Sequence, residues 1–520
     1  MDYSTGKLSF IFLVAVALAF VGAGWLARRY RAAMRRLMSV PGPAAPAPAL
    51  PPSEPQALPP PVLLSADDNR RAGWRLVLLL IGLSALISIT SAWLQLAVVM
   101  GDASLTPNRL AVLSFVQLWP VVPALGLMWR WSRARVVGAL ALWFVVCFVV
   151  VLWRSTDQQA SGPLLGYLAF EIGPPLLLVA LLCLGGATRA IAPWLLPPLL
   201  ALVWASIAGV DLLAWLVERR SPGLLSLTES LGANTVMGLF IVAPWLVAWW
   251  PLKRLARALA AAYTRKQLSE LMVLFSAVWG ISLLFKALGA ASDMGLGGAV
   301  MLLPLAWVPL AMAVTKRIGA PNGRPPTLLV LRVFQRDRAV QALFDDVIER
   351  WRLSGNTVLI AGTDLVERTL DADDIFGFLD GRLASRFIRQ PSDVSARLAA
   401  FDMERDAEGR YRINECYCHD STWREALAAL VRRSDVALMD LRSFQAHNEG
   451  CRHELSVLSR ASRLARVVVL TDGHTDRAEA QAATAGAPPG RFVWLDTSCI
   501  DRRKRREVLA SLFAPAGRTA

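Results

Sequence analysis

Apolar residues are distributed along this chain in two patterns that meet at Lys316-Arg317. Before that point they form long unbroken runs; after it they form short runs separated by amphipathic stretches. A bilayer core about 30 Å thick needs roughly 20 apolar residues of helix. Nine stretches satisfy that requirement: 8–27, 76–99, 110–129, 136–153, 164–185, 191–217, 233–252, 269–289 and 297–315. In the second part, TLLVLRVF (327–334), TVLIAG (357–362), DVALMDL (435–441), RVVVLTD (466–472) and RFVWLD (491–496) predict buried strands. AVQALFDDVIERWRL, TWREALAALVRR, GCRHELSVLSRASRL and RRKRREVLASLF read as helices between and after them. Nearly uniform apolar strands alternating with helices predict a parallel sheet covered on both faces, a flavodoxin-like doubly wound α/β domain. Residues 373–420 interrupt the alternation and predict one or two helices with an irregular strand, RYRINECYC.

The resulting organisation is an N-terminal anchor span (1–40), a linker (41–73), a multi-span helical membrane domain (74–317), a Gly/Pro-rich hinge (318–326) and the α/β domain (327–515). The stretch 41–61 holds ten prolines and almost no charge, which disfavours helix and sheet and favours extended polyproline II. Such a spacer predicts that span one is only loosely tied to the other eight.

Composition agrees with a polytopic membrane protein: 55% hydrophobic and 18% charged is too apolar for a soluble chain of 520 residues. The net charge of +15 suggests nucleic acid until it is divided, because 23 Lys+Arg face 12 Asp+Glu before Lys316 and 32 face 28 from there onward. The C-terminal part is nearly balanced, so no nucleic-acid partner is expected. Most of the excess sits in alternate short loops, at Arg28–Arg36, Arg130–Arg135, Arg189, Lys253–Lys266 and Lys316-Arg317. The positive-inside rule then places the N-terminus outside and the α/β domain in the cytoplasm of a bacterial-type inner membrane. Six cysteines without a regular framework suit a reducing compartment. Two basic segments predict contact with anionic lipid headgroups: Lys253–Lys266, amphipathic on the bilayer surface or a continuation of the seventh span, and Arg502–Arg506, basic all round its helix.

Ionisable residues inside spans are costly and so mark candidate function. Glu171, Asp211 and Lys286 fall toward the predicted outer ends of their helices and define a candidate membrane pocket beside Gly173-Pro174-Pro175. In the α/β domain, a ligand crevice is expected beyond the carboxyl ends of the strands. Asp337, Asp364, Asp440, Arg442, Ser443 and Asp472 follow those ends and are candidates for ribose hydroxyls, a metal or a phosphate, although the same residue types also serve as helix caps and turn formers. No GxGxxG, GxxxxGK[ST] or GxSxG occurs in this part, which removes support for dinucleotide-fold, P-loop and hydrolase readings. Cys416-Tyr417-Cys418-His419 has residue types suited to zinc but no second ligand pair, and no metal is expected.

The densest constellation is DVALMDLRSFQAHNEGCRHELSVL, residues 435–458: a buried strand, a polar loop and a helix that places Cys451 and Leu455 on one face. The run Gly450-Cys451-Arg452-His453-Glu454-Leu455 resembles the W-C-x-x-E-L-like run of the TIR (Toll/interleukin-1 receptor) family, and Glu454 matches the glutamate at the NAD site of its enzymatic members. The resemblance covers residues 327–515 loosely. It implies NAD as ligand or substrate, an NAD glycohydrolase-type activity with Glu454 as the catalytic carboxylate, or a signalling role through self-association of the domain. The competing class is a transporter or channel whose α/β domain is regulatory.

Overall fold

The computed structural model describes residues 5–39, 60–62, 64–101, 105–154, 161–183, 186–317, 323–332, 346–361, 372–381, 383–419 and 421–513. The chain divides into two compact units, one of Met1–Arg29 and Leu79–Val314, the other of Tyr30–Leu78 and nearly everything from Thr315 onward.

The first unit is helical, and eight helices among the described residues are long and apolar enough to cross a membrane. The stretch 164–185 falls on a further helix, Ser161–Cys183. The outward surface is apolar: Leu246 and Val247 are 77% and 79% exposed, and Trp153 is 77% exposed, so water is not its solvent. Where apolar stretches give way to charge, guanidinium groups lie over tryptophan rings, as in Arg254 over Trp250 at 3.4 Å and Arg219 over Trp215 at 4.2 Å. That pairing lets a long cation leave the apolar layer while its partner ring stays at the boundary.

Local chemistry fixes several helix ends. Thr106 accepts from the Arg109 N–H with Pro107 in the first turn, and Ser269 accepts from the Met272 N–H. Span three is split into helices Pro107–Gln117 and Val121–Met128, with Pro120 at the break. The final span starts as a 3-10 helix, Gly295–Ala306, before continuing as α-helix Trp307–Arg317. Lys253–Thr264 is the continuation of helix Ala233–Thr264, the second of the two arrangements the sequence allows.

Span one is better held than its proline linker suggests. Phe12, Ala15, Val16, Ala19, Ala23 and Leu26 form a buried stripe on helix Thr5–Ser39, and Phe12 meets Phe285 edge-on at 5.5 Å. Small residues at helical spacing let backbones approach closely, which supplies the packing that the linker does not.

The second unit contains a seven-stranded parallel sheet: β1 Thr327–Arg332, β2 Asn356–Ala361, β3 Phe387–Ile388, β4 Ile413–Cys418, β5 Val436–Asp440, β6 Arg466–Thr471 and β7 Phe492–Asp496. The order is β3-β4-β2-β1-β5-β6-β7, and every pairing is parallel. The five strands expected from the sequence are all present, in the doubly wound order with the reversal between β1 and β5. The interrupting segment is not outside the sheet: β4 pairs with β2, and β3 extends the edge.

Alternate strand residues feed two cores. Leu329, Leu331, Val358, Cys416, Ala437, Met439, Val467 and Val469 pack with Leu427, Leu430, Leu455 and Leu458 of helices Trp423–Arg433 and Glu449–Arg460. On helices outside that cluster, Trp351, Val508 and Leu512 are buried, with Trp351 and Phe513 stacked at 5.0 Å. Burial on both faces explains why these strands read as continuous apolar runs rather than alternating ones.

The rest of the insertion is fixed by charge. Around the turn at Gly409 (φ 96), Arg410 pairs with buried Glu349 at 3.1 Å and Arg412 with Asp406 at 2.7 Å. Arg352 Nε donates to the Tyr411 carbonyl at 2.7 Å, so each buried guanidinium finds an acceptor. At the amino end of the sheet, Asp435 accepts from Arg324 at 2.5 Å and from the Thr327 N–H at 2.8 Å, fixing Arg324 of the hinge and the start of β1 to the start of β5. Asn69, at the start of helix Ala66–Leu94, donates to the Arg350 carbonyl at 2.6 Å and to Ser354 Oγ at 2.8 Å.

Candidate functional site

The reversal between β1 and β5 places the candidate crevice at their carboxyl ends, where Arg332 and Asp440 are register partners. After β5 the chain makes a tight loop. Asp440 receives a fork from Arg442, Nε to Oδ1 at 2.9 Å and Nη2 to Oδ2 at 2.8 Å, and also accepts from the Arg442 N–H at 3.2 Å. Ser443 follows with φ 58, a left-handed conformation unusual for a residue with a Cβ. Asp472, after β6, holds it there: Oδ1 accepts from the Ser443 N–H at 2.9 Å, and Oδ2 from its hydroxyl at 3.3 Å. Asp472 also accepts from Thr475 Oγ1 at 2.8 Å and the His474 N–H at 3.1 Å. Burial alone would raise the Asp472 pKa, but this set of donors outweighs it and holds the carboxyl below its ordinary value. The loops after β5 and β6 are tied again by Gln445 Nε2 donating to the His474 carbonyl at 2.7 Å.

Asp440, Arg442, Ser443 and Asp472 are therefore brought together, as a mutually satisfied rim. Asp337 and Asp364 lie outside the described residues. Among the described residues no three His, Cys, Asp or Glu side chains converge as a metal site.

Glu454 behaves differently. Helix Glu449–Arg460 begins at the β5 end of the crevice, and Leu455 and Leu458 turn its inner face into the core. Glu454, one turn before Leu458, is carried inward on that side. The residue as a whole is partly exposed, but its Oε2 is sealed from solvent and has no hydrogen-bond partner. Desolvation pushes its pKa up to about 8. One turn earlier, the Cys451 thiol is pushed up to about 12, first by burial and then by the carboxyls of Glu454 and Asp440, which puts all three groups in one electrostatic neighbourhood. Around neutral pH the helix therefore holds a protonated acid that becomes a strong acceptor once ionised.

The CxCH run is resolved by strand alternation. Cys416 and Cys418 project to one side with their sulfurs 3.7 Å apart, whereas the Phe387 ring meets both Tyr417 (5.4 Å) and His419 (5.9 Å) on the other. The imidazole and the thiols are divided by the sheet.

In the membrane domain, Lys286 pairs with Glu171, and the two side chains are 6% and 16% exposed. Asp211 joins a different partner, Lys7 of span one, at 2.6 Å. Sequence spacing contained no signal for the Lys7 contact, because it links residues 204 positions apart. Comparison of the chain with family models, with curated proteins and with solved structures found no match.

Proposed function

We propose that this is an inner-membrane protein whose C-terminal domain is a TIR-like effector or signalling module, with Glu454 as the residue that binds and helps to cleave NAD or a related nucleotide. The observation that carries this reading is the sealed Glu454 Oε2, without a hydrogen-bond partner, on the helix that follows β5 at the strand-order reversal of a doubly wound sheet. A buried carboxyl oxygen without a partner is a stability cost, and such costs concentrate where a site must receive a ligand. Ionised, it would accept from ribose hydroxyls and stabilise the oxocarbenium-like centre that forms as a glycosidic bond breaks. The satisfied rim of Asp440, Arg442, Ser443 and Asp472 would serve as the rigid mouth of that crevice.

In this reading the membrane domain has nine spans with its N-terminus outside and the α/β domain cytoplasmic, in keeping with the loop charges. The helix Arg502–Phe513 would rest its basic first turns on anionic lipid. Self-association of the domain would provide the signalling output. The test uses the full chain in lipid nanodiscs, incubated with NAD and followed by nicotinamide release. Turnover that is abolished by Glu454→Gln supports the proposal. Neither turnover nor nucleotide binding, with the protein clustered at high density, would refute it.

A further inference from the structure

The membrane domain encloses neutral polar groups that neither ion pair uses. On helix Ala66–Leu94, Ser84, Ser88 and Ser91 recur at i, i+4 and i+7, and Gln95 continues the row, so the four share one face. The three serines are at most 1% exposed. This face meets three others. Ser88 Oγ donates to the Ser114 carbonyl at 2.5 Å, Gln117 Nε2 to Gln95 Oε1 at 2.5 Å, and Trp279 Nε1 to Ser84 Oγ at 3.3 Å. The same residues and their neighbours carry four sealed side-chain atoms with no hydrogen-bond partner: Ser91 Oγ, Ser114 Oγ, Gln117 Oε1 and Trp119 Nε1. Gln117 and Trp119 are 0% exposed.

A polar group left unpaired in an apolar interior is a stability cost, and two facing helices with the turn after the second carry four of them, a cost that an occupant would relieve. The backbone changes at the same place: the helix widens to a π-helix over Gln95–Val99, a distortion associated with functional sites. The chemistry of the unused atoms defines what fits. Gln117 Oε1 requires a donor, Trp119 Nε1 requires an acceptor, and the two hydroxyls take either. Lys286, one turn from buried Ser282 on helix Glu270–Met294, is already neutralised by Glu171, so the remaining valence is uncharged.

We propose that Ser91, Ser114, Gln117 and Trp119 line an internal site for an uncharged molecule that both donates and accepts hydrogen bonds, either water or a small solute bearing hydroxyl or amide groups. Occupancy would give the bundle a means of responding to its surroundings independently of any activity in the α/β domain.

The test uses the full chain in nanodiscs, with two readouts. S91C and S114C are treated with a small water-soluble methanethiosulfonate, with M301C in the same bundle as a control buried among apolar side chains; labelling at the two sites about tenfold faster than at the control is expected. Thermal unfolding of Ser91→Ala and Ser114→Ala, which delete only the unpaired hydroxyls, is the second readout. Both variants lower Tm if the hydroxyls have an occupant, whereas deleting an unpaired polar atom from a dry interior raises Tm. Repeating the melts with formamide and with glycerol separates the sources: a shift that is lost in Ser114→Ala assigns a solute site, and labelling with lowered Tm but no such shift assigns water. Unlabelled S91C and S114C together with a raised Tm for Ser91→Ala and Ser114→Ala would overturn the proposal.

Discussion

Replacing Glu454 with Gln should remove from the stability of the α/β domain a pH dependence that no surface substitution would touch. The wild-type carboxyl has its pKa raised from 4.5 to about 8 by burial. A raised acid pKa means that the folded state holds a proton the unfolded state releases, so stability is full below the unfolded pKa and is lost as pH rises through the folded one. At about 1.4 kcal/mol per pH unit, the loss reaches about 3 kcal/mol at pH 7 and approaches about 5 kcal/mol above pH 9, both upper figures because the residue keeps some solvent contact. Gln cannot ionise, so the variant lacks this slope. Near pH 5 wild type and E454Q should differ only by a small constant, and by pH 9 the variant should be the more stable. For a domain of this size about 3 kcal/mol corresponds to a Tm difference of about 6–12 °C. Thermal unfolding of the full chain in detergent, measured between pH 5 and 9, provides the comparison. A Tm difference that stays constant over that range would refute the sealed carboxyl. The same titration predicts that any nucleotide cleavage using the ionised form rises with pH through about 8, which a pH–rate profile would show.

Two further outcomes concern the membrane domain. Lys286→Met leaves Glu171 unpaired in a low-dielectric layer and should destabilise the bundle by about 3–5 kcal/mol, with the charge-swapped K286E/E171K pair recovering most of the loss; a K286M protein that melts with wild type would show that the pair is solvated. A Cβ at Gly209 would lie 2.0 Å from the Phe240 carbonyl oxygen, so Gly209→Ala must separate helices Gly186–Glu218 and Ala233–Thr264 and should cost about 1–3 kcal/mol; an unchanged Tm would refute that close approach.

The five apolar strands and the helix start near Gly450 were legible because each is local: a strand buried on both faces must be apolar at every position, and a helix start after a polar loop has its own residue types. β3 and β4 were not legible as sheet members. Their strands are short or polar, as in INECYC; β4 joins the sheet by pairing with β2, more than 50 residues earlier, β3 by pairing with β4, and the ion pairs of Arg352, Arg410 and Arg412 fix the chain leading into β4. At the crevice, Asp and Ser after strands were visible as residue types, but their division into a satisfied rim and an unsatisfied Glu454 depends on which donors the neighbouring loop delivers. Likewise Glu171, Asp211 and Lys286 were each visible as costly charges, while the choice of partners was set by helix packing that brings Lys7 to Asp211.

The sequence by itself determined which part of this protein is built of long apolar helices and which of a covered parallel sheet, since apolar run length acts residue by residue and does not depend on the fold. Tertiary structure alone decided which polar groups are satisfied. Hydrogen bonding and desolvation are properties of pairs and enclosures, and whether Glu454, Gln117 or Trp119 finds a partner depends on atoms that the chain brings near them only when folded.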